Sequence, residues 1–129
     1  MSIKGSPYQR FIRALETGNP LLVRSAAAEL PHVSLADALA ICLVLLDREP
    51  ELYGRAAARW TARYCLEVRG VALEEAVAVL GAMALLRTPH RAVARRTLLD
   101  LCSARNLGGV CEVLEPSTRR DITAGPEQS

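Results

Sequence analysis

Aromatic residues make up only 4% of this 129-residue chain, so any core it buries must be aliphatic. β-branched residues are few and scattered, which argues against strands, because a pleated, half-buried surface favours them. Lysine is almost missing: Lys4 stands alone beside 15 arginines, a bias that reflects either GC-rich coding or selection for guanidinium forks. Long apolar runs are missing too. Ala38–Leu46 and Ala76–Leu86 are the longest uncharged runs, well short of the ~20 apolar residues that a membrane span requires. Met1–Arg10 has no apolar core of the kind that marks a signal peptide. The cysteines Cys42, Cys65, Cys102 and Cys111 stand 23, 37 and 9 residues apart. Without a CxxC pair or a Cys/His cluster they do not suit zinc, and they read as reduced, buried side chains of a cytoplasmic protein.

Catalytic signatures are equally sparse. No Gly-rich phosphate loop and no nucleophile motif is present. His32 and His90 lie far apart, neither with a carboxylate or cysteine at ligand spacing, and read as surface or capping residues. Glu74 and Glu75 open a helix, where carboxylates suit the positive end of the dipole. Asp47, Glu49 and Glu51 cluster at an inter-helix corner, but their spacing does not make a cation site. The expectation is a non-enzymatic protein with no catalytic residue, cofactor, metal or small-molecule substrate.

What is abundant points to helix: 20 Ala and 20 Leu, both high on the intrinsic helix scale. Ser6-Pro7, Asn19-Pro20 and Thr88-Pro89 each set a capping side chain before a proline, which has no N–H to leave unpaired in the first turn. Glu49-Pro50 is a weaker version, and Ser34 with Asp37 resembles a capping box. Gly18, Pro31, Gly70 and Gly108-Gly109 read as stops. These signals predict helices over 7–17, 20–30, 34–48, 50–68, 72–87, 89–104 and 107–115. Their short connections make neighbours antiparallel. The chain therefore reads as one all-α domain over 1–115, followed by a polar, disordered tail over 116–129.

An internal repeat is visible. A shift of 30 lays Pro20 on Pro50, Leu22 on Leu52, Ala26-Ala27-Ala28 on Ala56-Ala57-Ala58 and Leu30 on Trp60. A shift of 39 lays Pro50 on Pro89 and Trp60 on Leu99. Val33-x-Leu35-x-x-Ala38 recurs as Val71-x-Leu73-x-x-Ala76. A helix pair that cannot bury its apolar face alone stacks on its neighbours. Asn19–Leu30, with Val23-Arg24, then the alanine triplet, then Leu30, resembles the first helix of a HEAT repeat. The resemblance covers about residues 19–115. The later units carry Gly54-Arg55 and Ala92-Val93 where the Val-Arg pair would fall. It implies a short α-solenoid with a binding role, beside the alternative of a compact helical bundle. The composition also resembles that of small helical bacterial proteins.

The helices differ in kind. Leu52, Tyr53, Ala56, Ala57, Trp60 and Tyr64 form an apolar stripe on helix 50–68, with Trp60 expected in the core. Helices 34–48 and 72–87 are apolar almost all round and must be covered on every side. Either both are central and wrapped by the other helices, or helix 72–87 leaves a face exposed, with Val77, Leu80, Gly81 and Ala84 as the candidate partner surface. Gly81, Ala82 and Ala84 would let a second helix approach closely, and a symmetric homodimer would cover the face. Arg55, Arg59 and Arg63 recur at i, i+4 and i+8, and Arg91, Arg95 and Arg96 repeat the device. Residues 54–106 carry net +5, against −1 for 1–53 and −2 for 107–129. The leading expectation is a helical protein–protein interaction module using the apolar face or the groove beside helix 34–48. The alternative is a nucleic-acid-binding module using the six arginines.

Overall fold

The structure, a computed structural model, describes residues 5–115. Seven helices account for most of them: α1 (Pro7–Thr17), α2 (Pro20–Ala28), α3 (Leu35–Arg48), α4 (Pro50–Glu67), α5 (Leu73–Leu85), α6 (Arg91–Ala104) and α7 (Gly108–Leu114). No strand occurs among the described residues. The expected tail over 116–129 lies outside them.

Local signals set most boundaries. Ser6 and Gln9 form a reciprocal capping box at α1, and Gly18 ends that helix at φ 68°, a left-handed position that glycine occupies without strain. The Asn19 side chain accepts from the N–H groups of Leu21 and Leu22 at α2. Ser34 accepts from the N–H of Asp37, but Asp37 turns its own carboxylate to the Tyr8 hydroxyl at 3.2 Å, so only half of the capping box forms. Two expectations need correction. Thr88-Pro89 does not begin α6. The Thr88 hydroxyl donates to the Leu85 carbonyl and accepts from the His90 N–H, which closes a turn and moves the helix start to Arg91. Gly108-Gly109 is not a stop. The left-handed residue after α6 is Asn106, at φ 59°, and the two glycines lie inside the first turn of α7.

Packing runs in sequence order from α3 to α7, and α7 then returns to α3. This closes a five-helix bundle over Leu39, Cys42, Tyr53, Trp60, Met83 and Leu98, all essentially buried. Gly109 permits the closure: a methyl group there would stand 3.3 Å from the Ala36 side chain. A second, smaller cluster of Phe11, Ala14 and Val23 fixes the α1–α2 hairpin on the outer side of α3, against Ile41 and Val44. Helix α3 is thus covered on both sides, and none of its residues from Leu35 to Leu46 is exposed. Its uninterrupted apolar character follows from that central place.

Candidate interaction surfaces

Helix α5 has the same composition and a different fate. Val79, Ala82 and Met83 face the core, so Ala82, expected to admit a partner helix, is instead an internal contact. The opposite side is bare. Leu73 is 76% exposed, Val77 62% and Leu80 50%, and Gly81 and Ala84 are exposed with them. No atom lies within 4 Å of where a Gly81 side chain would begin. The four residues singled out from the sequence therefore share one exposed helical stripe, which Leu73 extends. Helix α4 lies antiparallel beside it, registered by two hydrogen bonds: Tyr53 Oη to the Met83 carbonyl (2.7 Å) and Tyr64 Oη to Glu75 Oε2 (2.6 Å). Ala58, Leu80 and Ala84 line a shallow concavity of about 100 Å³ between the two helices. Ala62 and Leu66, one and two turns on from Ala58, are also exposed, and the register sets Leu66 toward the Leu73 end.

The arginines divide. Arg55, Arg59 and Arg63 line a groove of about 580 Å³ between α3 and α4, joined by Arg24 of α2. The floor is apolar: Ala38, Ile41, Cys42 and Leu45 from α3, with Ala56 from α4. Burial pushes the Cys42 thiol up to about 12, so it stays protonated at neutral pH. Trp60 stands behind this floor at 1% exposure, its indole N–H held by the Leu35 carbonyl at 2.8 Å. It is a core residue, as expected. Arg63 is partly committed, donating to Glu67 Oε2 (2.7 Å) and to the Val33 carbonyl (2.9 Å). Arg55 and Arg59 have no carboxylate within salt-bridge distance among the described residues.

Arg91, Arg95 and Arg96 do not line this groove. Arg91 donates to the Leu86 carbonyl and Arg95 to the Leu114 carbonyl, so both satisfy orphan acceptors where chain leaves a helix. Burial and the neighbouring Arg91 push the pKa of Arg95 down, and Asp47 acts against them. Arg96 stands 3.7 Å from Asp100 at the surface. The corner carboxylates go to arginines as well, Asp47 to Arg91 and Glu49 to Arg24, each at 3.7 Å. No group of three His, Cys, Asp or Glu side chains suited to a metal occurs among the described residues.

One cluster had no sequence signal. Glu75 accepts from the Tyr64 hydroxyl and from Arg105, whose guanidinium also donates to the carbonyls of Arg69 and Gly70. The Arg105 and Tyr64 hydrogen bonds hold the Glu75 carboxyl down to about 2. Burial first, then the hydrogen bond to Glu75, pushes the Tyr64 hydroxyl up. The arrangement ties α4, the α4–α5 connection, α5 and the end of α6 together. Every polar atom of the three side chains has a partner within the chain, an arrangement that serves the fold.

These features define a class, an all-α fold of seven helices among the described residues, with an exposed apolar helix face and a separate arginine-rimmed groove. Comparison of the chain with family models, with curated proteins and with solved structures finds no match. No helix among the described residues is long and apolar enough to cross a membrane.

Proposed function

We propose that the protein is a non-enzymatic helical interaction module whose α5 face closes against a second copy of the chain. One observation carries the reading: two helices of the same apolar character receive opposite treatment, α3 with no exposed residue from Leu35 to Leu46 and α5 left open along Leu73, Val77, Leu80, Gly81 and Ala84. Soluble monomers rarely expose such a continuous apolar patch. An isologous dimer covers it with a single contact, and the missing side chain at Gly81 lets the helix axes approach closely. The resemblance of Asn19–Leu30 to the first helix of a HEAT repeat is in keeping with a binding role.

The energetics favour a moderate affinity. Covering the exposed parts of Leu66, Leu73, Val77, Leu80 and Leu85 contributes about 6 kcal/mol per chain, at ~2 kcal/mol for each fully exposed aliphatic side chain. The pair gains about 12 kcal/mol, less an association cost of at least ~4 kcal/mol, which sets the tightest dissociation constant at about micromolar. Sedimentation velocity across micromolar concentrations tests this. A dimer that Leu80→Glu converts to a folded monomer is the expected result. A monomer at every concentration, or a dimer indifferent to Leu80→Glu and Val77→Glu, overturns it. The nucleic-acid alternative rests on Arg55, Arg59 and Arg63, since the other three arginines do not line the groove. A salt-sensitive mobility shift would favour it.

A further inference from the structure

We propose that the α3–α4 groove is a second and separate docking site, taking an acidic amphipathic helix from a partner protein. Arg55, Arg59 and Arg63 follow one another by a helical turn, so their charges extend over about 12 Å along α4. Arg24 adds a fourth from α2. It is already ion-paired with Glu49 at 3.7 Å, so it adds charge to the rim rather than a free fork. Arg63 is held by Glu67 and the Val33 carbonyl, and Arg55 and Arg59 are unpaired among the described residues, so these two adjacent guanidinium forks are the free anion receptors of the rim.

Beneath the rim, Ala38 and Ile41 of α3 are half-buried, with Cys42 and Leu45 buried behind them, a ridge at i, i+3, i+4 and i+7 of the kind against which a crossing helix packs. A ligand that satisfies both parts is linear, apolar along one stripe and acidic along its flank, which describes an amphipathic helix lying in a groove. An anion with a single head group would engage one fork and leave the other unused. A single-stranded nucleic acid adds stacking on exposed aromatic rings to its phosphate contacts, and the one aromatic in the groove, Trp60, is sealed at 1% exposure and offers none.

The site lies on the α3 side of α4 and is independent of the α5 face, so a test can separate them. The probe is a fluorescein-labelled synthetic helix with leucine along one face and glutamate on its flanks, followed by fluorescence anisotropy at low salt. Companion peptides carry glutamine or lysine in place of glutamate. The intact chain should bind the glutamate peptide and weaken with salt. The double variant Arg55→Glu with Arg59→Glu should lose about tenfold or more in affinity and should instead prefer the lysine peptide. That reversal also shows that the variant is folded. Leu80→Glu should bind like the parent chain. Failure to bind the glutamate peptide, equal binding of the glutamine peptide, or indifference to charge reversal each overturns the proposal. Displacement of the peptide by oligouridine or by phosphatidylserine vesicles, lost in the double variant, would assign the groove to that ligand instead.

Discussion

Replacing Tyr53 with phenylalanine removes one oxygen from the middle of the bundle, and its cost can be worked from the end of α5. The last carbonyls of a helix have no partner within it. Here Ala82 is met by the N–H of Leu86, Ala84 by that of Arg87, Leu85 by the N–H and hydroxyl of Thr88, and Leu86 by the Arg91 guanidinium. Met83 is left, and its carbonyl is met by the Tyr53 hydroxyl at 2.7 Å. Tyr53 is fully buried, so water cannot easily take over. Tyr53→Phe should therefore cost the desolvation of a buried, unpaired carbonyl, about 1–3 kcal/mol. For a domain of this size, at about 4 °C per kcal/mol, the melting temperature falls by roughly 4–12 °C. Urea denaturation followed by far-ultraviolet circular dichroism should show a lower midpoint with an unchanged slope. Tyr64→Phe is the internal comparison, because Glu75 keeps Arg105 when the Tyr64 hydroxyl is lost, and its cost should be smaller. A Tyr53→Phe variant within ~0.3 kcal/mol of the parent, or less damaged than Tyr64→Phe, refutes the capping role, since a lost buried hydrogen bond cannot be that cheap.

Glu75, held down to about 2 in the fold, stabilises the folded chain at pH values above the ordinary carboxyl range. That contribution is lost as pH falls from about 4.5 toward 2. Glu75→Gln should accordingly flatten the acid limb of a stability–pH profile in that window, and an unchanged limb would contradict it. Gly81→Ala adds a methyl group to open space in mid-helix and should stabilise the monomer by about 0.5–1 kcal/mol, measured by denaturation at high dilution, while weakening self-association in sedimentation. Leu39→Ala, at a fully buried position on α3, should cost about 2–5 kcal/mol by cavity formation, read by the same denaturation assay.

Features carried by neighbouring residues were legible in the sequence, and those decided by packing were not. Ser6-Pro7 and Asn19-Pro20 located their helices because the capping acceptor and its N–H donors lie within three residues. Thr88-Pro89 carries the same letters, but its hydroxyl is drawn back to the Leu85 carbonyl, a choice made by the end of α5 rather than the start of α6. The apolar pattern marked α3 and α5 as alike. Only the placement of the α1–α2 hairpin and of α7 on α3 decides which of the two is wrapped. Likewise Arg55–Arg59 and Arg91–Arg95 share one spacing, and the difference lies in what each faces, an open groove or the carbonyls at helix ends. Glu75 and Arg105 are 30 residues apart, beyond the reach of any local motif.

The return of α7 to α3 also has a consequence during synthesis. The helix that must be covered on all sides is complete at Arg48, yet the segment that closes over it begins at Gly108. At roughly 5–20 residues per second, α3 waits on the order of 3–12 s at the ribosome with one apolar side uncovered. A nascent chain stalled or truncated before Gly108 would present that side to chaperones and to other nascent chains. The seven residues of α7 thus act as the latch that ends the chain's exposure to misassembly.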